Sequence, residues 1–109
     1  MKDSRKLIVV GAGGHARIVI DTAEDVGYKI HGIIDIQYNG QKETILHYPV
    51  LGDFSTLNGL DPNKFILVLA IGDNSERATY FKTSLTKNFQ VVTIIHPTAI
   101  VSKGQNNPD

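Results

Sequence analysis

The chain has 109 residues, 41% of them hydrophobic and 20% charged, with eleven basic residues against eleven acidic ones. That is enough for one modest core and too little for two, and a net charge of zero leaves no overall field to draw the chain onto nucleic acid or an anionic membrane. The lack of cysteine excludes disulfides and thiolate metal sites and fits a reducing cytoplasm, and the longest apolar run, residues 65–71, is far shorter than the roughly 20 residues of a membrane-spanning helix.

Lys2, Arg5 and Lys6 precede the apolar residues 7–10, which superficially resembles a secretory leader. The stretch breaks at glycines and then carries His15 and Arg17, so it makes a poor one. Residues 7–10 read instead as a strand buried on both faces, being short, apolar and continuous. The turn after it, Gly11-Ala12-Gly13-Gly14-His15-Ala16, fits the G-x-G-x-x-A pattern. In that pattern Gly11 allows a tight exit from the strand, Gly13 lets the backbone approach a diphosphate, and Ala16 permits close packing of helix on sheet. The helix that follows would offer the phosphates free N–H groups and about half a positive charge.

Ala16, Val19, Ile20, Ala23 and Val26 recur at helical spacing, and Gly27 supplies a left-handed residue to end the helix. Residues 30–35 predict a second buried strand with Asp35 at its end, where a nucleotide-binding fold places an acid on ribose hydroxyls. Residues 37–47 are polar and glycine-bearing and read as a loop beside the ligand or as a small excursion; the pattern does not choose between them. Residues 49–51 predict a short strand and residues 54–57 a single helical turn.

Residues 65–71 predict another buried strand, followed by a second glycine turn, Ile71-Gly72-Asp73-Asn74. Ala78, Phe81 and Leu85 then form one apolar stripe, Asp73 and Glu76 have the spacing of a capping box, and Asn88 is placed to end the helix. Residues 91–95 predict the last strand. Strands alternating with helices imply a Rossmann-like α/β fold, an open, doubly wound parallel sheet with helices on both faces. Ligands of such sheets sit outside the carboxyl ends of the strands, where both glycine turns fall.

Each of these residues also has a plainer reading. The glycines and Asp35 could simply make a tight turn and a strand cap, but strand, helix and acid in register favour binding. Asp73, Asn74 and Arg77 could present a carboxylate, an amide and a guanidinium to a ligand, or Asp73 and Asn74 could cap the helix beside a solvated Arg77. Capping is at least as good an account of Asp73, whereas Gly72 is better explained by close backbone approach. His15 has no partner near it in sequence, so it reads as a binding or loop-shaping residue and no catalytic residue is assigned. His31 and His47 read as structural or solvent-facing, and the four histidines lack metal-ligand spacing, so no metal is assigned.

Taken together, GAGGHARIVID, the strand ending in IID, YPVLGDF, LAIGDNSER and IIHPTAIVS resemble, in the same order, the N-terminal domain of bacterial sugar acetyltransferases of the PglD type. These include UDP-4-amino-sugar N-acetyltransferases and sialic acid O-acetyltransferases of glycan biosynthesis. The resemblance runs from about Lys6 to Ser102 and implies a cytoplasmic domain that binds a UDP-sugar. It implies that Gly11, Gly13, Gly14 and His15 border the diphosphate, that Asp35 faces the nucleoside, and that Gly72, Asp73 and Asn74 line the same cleft. In the family a left-handed parallel β-helix follows, binding acetyl-CoA, forming the trimer and carrying the catalytic histidine. Here residues 1–98 would be the nucleotide-sugar domain and residues 99–109 the lead-in to such a helix, whose repeats are missing. The domain alone would need no cofactor and would bind without catalysing. Many relatives carry two successive acids after the second strand, whereas Ile36 follows Asp35 here, which alters the expected nucleoside contacts.

Two other classes fit parts of the pattern. A dinucleotide-binding redox or sensor domain would use G-x-G-x-x-A and Asp35 with NAD(P), although a full dinucleotide fold needs two mononucleotide halves. A non-catalytic interaction domain would use the turns only to shape the fold.

Overall fold

A computed structural model describes residues 4–41 and 43–94. Strand β1 (Lys6–Val10), helix α1 (Gly14–Val26) and strand β2 (Ile30–Ile34) are followed by β3 (Thr44–Ile45), β4 (Tyr48–Gly52), a 3-10 helix (Phe54–Gly59), β5 (Phe65–Leu69) and α2 (Asn74–Thr86). The five strands lie in the order β3-β4-β2-β1-β5. β1 is parallel to β2 and β5, β2 is parallel to β4, and only β3 runs antiparallel. The result is the expected Rossmann-like α/β sheet.

The continuous apolar runs are explained by what lies above and below the sheet. Leu7 and Val9 of β1, with Ile33, Ile66 and Val68, face α1 through Ala16, Ile20 and Ala23. Ile8 and Val10, with Ile34 and Leu67, face the other way onto Leu57, Ile71 and Phe89. Every residue of β1 after Lys6 is therefore buried. Helix α1 ends at Gly27, whose φ of 103° is the left-handed conformation expected there, and Tyr28 N–H closes the end on Ala23 O. Asn88, at φ 70°, ends α2 in the same way.

Two elements differ from expectation, and a third settles an open alternative. The Ala78, Phe81 and Leu85 stripe of α2 does not face the core: Phe81 is 43% exposed and Leu85 48%. The packed side is rotated by one residue, to Arg77, Tyr80 and Ser84, of which Ser84 is fully buried. The Tyr80 ring meets Phe54 of the 3-10 helix edge-on at 4.8 Å, and the Ser84 hydroxyl donates to Tyr80 O at 2.7 Å. A small residue at 84 lets the helix lie close, and its hydroxyl is satisfied locally, so a pattern of large apolar residues misses this face.

The segment over residues 37–47 is an excursion. It contains β3, which pairs with β4 across a two-residue turn at Leu46 and His47, with φ 49° and 68°. The Tyr48 hydroxyl donates to Glu24 of α1, and that bond, then desolvation and the Glu24 charge, hold the phenol above its ordinary value of 10.0. The strand over residues 91–95 is reduced, among the described residues, to a parallel bridge from Val91 to Leu67. The expected domain boundary at residue 98 and the lead-in at 99–109 lie outside the described residues.

Candidate functional site

Chain order reverses about β1, which has β2 on one side and β5 on the other. The carboxyl ends of β1 and β5 therefore carry the two glycine turns side by side, tied by a hydrogen bond from Ala70 N–H to Val10 O at 2.7 Å. This is the crevice position where open α/β sheets hold ligands.

The first turn divides into a structural half and an open half. Gly11 is buried, has φ 127°, and a Cβ there would stand 2.3 Å from Ala70 O. Its N–H donates to Ile34 O at 2.8 Å, so its backbone serves the sheet. Gly13 and Gly14 are exposed, and a Cβ at either would meet no atom of the described residues within 4 Å. Gly13 is the N-cap of α1; no side chain caps this helix and its first turn holds no acid. Among the described residues its N-terminal N–H groups and partial positive charge thus have no side-chain partner. Ala16 is fully buried against the sheet, as its place in the pattern requires.

The second turn is closed on itself. Asp73 caps α2 by accepting from Glu76 N–H at 2.9 Å. Arg77 Nη1 donates to Ile71 O at 2.8 Å, and Nη2 donates to Asn74 Oδ1. Gly72 is exposed, and a Cβ there would also meet no atom of the described residues within 4 Å, so no close approach among them accounts for this glycine. Asp35, half-buried just beyond β2, accepts from Gln37 N–H through Oδ1 at 2.9 Å, and its own N–H donates to Gly52 O.

His15, Asn74 and Arg77 line one groove of about 480 Å³ that runs on over Val19, Ala78, Phe81 and residues 91–94. The structure thus brings His15 and Asn74 together, whereas Gly11, Gly13, Gly14, Asp35, Gly72 and Asp73 do not line this groove. Its apolar half was not foreseen, because Ala78 and Phe81 carry the spacing of a core stripe. The inward turn of Arg77 left no signal beyond its place three residues after Asn74, the spacing of neighbours on a helix face. Among the described residues no three His, Asp or Glu side chains come together to hold a metal, and no helix is long and apolar enough to cross a membrane.

The family model of the PglD N-terminal domain matches residues 6–84. The chain belongs to this family. Among solved structures, a PglD-domain chain like this one is similar to a variant of perosamine N-acetyltransferase from Caulobacter crescentus in complex with CoA and GDP-perosamine, at 32% identity and a TM-score of 0.79. That match covers 90% of this chain and 46% of the other. PerB from the same organism, also in complex with CoA and GDP-perosamine, matches at 32% identity and a TM-score of 0.77, over 90% of this chain and 45% of its own. The acetyltransferase domain of PglB from Neisseria gonorrhoeae FA1090, in complex with acetyl coenzyme A, matches at 32% identity and a TM-score of 0.77, over 93% of this chain and 48% of its own. The chain spans about half the length of these sugar-modifying acetyltransferases.

Proposed function

We propose that this PglD-type domain binds a nucleoside diphosphate sugar, a UDP-sugar in the first instance, and delivers it to an acetyl-CoA-dependent acetyltransferase domain. The observation that carries the reading is the uncapped, acid-free start of α1 beneath two exposed glycines with open space above them. Nothing among the described residues needs Gly13 to be glycine, and a diphosphate is a ligand that does. In this reading Gly13, Gly14 and His15 border the diphosphate, Gly11 shapes their turn from within the sheet, Asp35 faces the nucleoside, and Gly72, Asp73 and Asn74 form the opposite wall. The PglD resemblance favours UDP, while the GDP-perosamine complexes of two similar chains make GDP the nucleotide to compare.

The chemistry available here is binding and orientation. Among the described residues no side chain hydrogen-bonds to His15, and a general base needs both reach and a partner to tune it. The acetyl donor, the trimer contacts and the acid–base chemistry belong, in this proposal, to the other half of the length seen in the relatives, working in the cytoplasm. The 109-residue chain alone then transfers no acetyl group.

The test is thermal unfolding with UDP, UDP-N-acetylglucosamine, GDP-mannose and NAD. Ligand at about 100 times its dissociation constant adds about 2.7 kcal/mol, a rise on the order of 10 °C for a domain this small. A rise with a nucleotide sugar and none with NAD is expected; a response to NAD alone sinks the proposal. A thiol-release assay with acetyl-CoA and a UDP-4-amino-sugar should stay at background, and turnover that disappears in His15→Ala would show a misplaced active site.

A further inference from the structure

The second glycine turn holds a device that the nucleotide-sugar reading, on which this inference rests, does not itself require. Arg77 lies one turn into α2, half-buried, with its guanidinium folded back over the start of its own helix. It donates through Nη1 to Ile71 O at 2.8 Å and through Nη2 to Asn74 Oδ1, while its backbone N–H donates to Asp73 O at 2.9 Å. A guanidinium carries donors only, so the amide atom that faces it must be the oxygen. The Asn74 Nδ2, with two N–H groups, is thereby turned away from Arg77.

Three of the turn's acceptors are held within the chain. Ile71 O and Asn74 Oδ1 are held by Arg77, and Asp73 Oδ1 is held by Glu76 N–H. Asn74 is exposed and, with Arg77, lines the groove that also contains His15. With its oxygen held, the Asn74 amide has its two N–H donors left, beside the groove and next to a positive charge.

We infer that Arg77 is a positioning residue that locks the Asn74 amide as a donor, so that the second turn reads an acceptor oxygen of the bound nucleotide sugar. The two sources of that oxygen are the diphosphate and the sugar. Asn74→Asp separates the donor from the scaffold, because the carboxylate keeps the acceptor Arg77 holds and removes the N–H groups.

The experiment is calorimetric titration of the 109-residue chain with UDP and with UDP-N-acetylglucosamine, alongside melting temperatures. Asn74→Asp should melt within a few degrees of the unmodified chain and bind roughly 10- to 100-fold more weakly, the scale of a hydrogen bond to a charged or well-oriented group. Loss for both ligands assigns the oxygen to the diphosphate; loss for the sugar nucleotide alone assigns it to the sugar. Arg77→Ala should weaken binding in the native background and cost nothing further in an Asn74→Ala background, the mark of two residues acting as one. Arg77→Lys should restore part of the loss in the native background only. Unchanged affinity in Asn74→Asp, or additive losses in the double variant, overturns the inference and leaves the cleft reading standing. No binding of either ligand by the unmodified chain overturns the cleft reading and this inference with it.

Discussion

Helices α1 and α2 are each thirteen residues long, and each follows a glycine turn at the carboxyl end of a parallel strand. Their ends and faces are built in opposite ways. α1 starts at a bare glycine with no capping side chain and packs an apolar side on the sheet, whereas α2 is capped by Asp73, carries Glu76 in its first turn and packs a side containing Arg77, Tyr80 and Ser84. A helix start needs partners for its N–H groups. In α2 the Asp73 carboxylate takes one of them, Glu76 N–H, whereas among the described residues no side chain caps α1. The contrast divides two turns of similar composition into one whose helix start is capped by the chain and one whose helix start, among the described residues, is not.

The largest effect expected in breaking that contrast comes from within the first turn. Gly11→Val places a carbon against Ala70 O at a backbone angle that side chains avoid, and neither backbone can yield without opening β1 from β5. The cost should exceed about 4 kcal/mol, read as loss of the cooperative melt. Ile20→Ala comes next. It empties a fully buried site beneath α1 and should cost about 2–5 kcal/mol, lowering the melting temperature by more than about 8 °C.

Asp73→Ala removes the cap of α2 and should cost about 1 kcal/mol, a fall of roughly 4–8 °C. Nucleotide-sugar affinity should change little, since that carboxylate is engaged by Glu76 N–H. A large loss of affinity would mean that Asp73 meets the ligand directly. Phe81→Ala is the smallest: the ring is 43% exposed, so urea unfolding should show a change within about 0.5 kcal/mol. A loss of the size seen for Ile20→Ala would return the stripe to the core.

The parts of the fold that follow simple rules were legible in the sequence. Residues 7–10, 30–34 and 65–69 are buried on both faces and read as continuous apolar runs, and Ala16, Ile20 and Ala23 carry the helical period of α1. The parts that failed have local physical reasons. The hairpin turns on Leu46 and His47 in left-handed conformations, where Asn-Gly or Asp-Gly would have announced it. The buried face of α2 was hidden because its tightest contact is made by Ser84, a residue that reads as polar surface. Of the candidate site, the positions of both turns at the sheet's carboxyl edge followed from chain order. That Gly11 belongs to the sheet while Gly13 stands free did not, because both sit in one motif and differ only in what lies across from them. Nor did the direction of Arg77, which depends on the carbonyl of Ile71 being within reach.

The central claim is that the start of α1 is left open for a diphosphate, and Gly13→Val tests it most directly. At φ −83° and ψ −164° the backbone of residue 13 suits a branched side chain, and a Cβ there would meet no atom of the described residues within 4 Å. Exchanging glycine for valine at an N-cap should cost no more than about 1 kcal/mol. Titration of the variant with UDP-N-acetylglucosamine should show no binding at concentrations that saturate the unmodified chain, with a cooperative melt retained within about 8 °C. Binding at the unmodified affinity, or loss of the melt together with the ligand, would contradict the account.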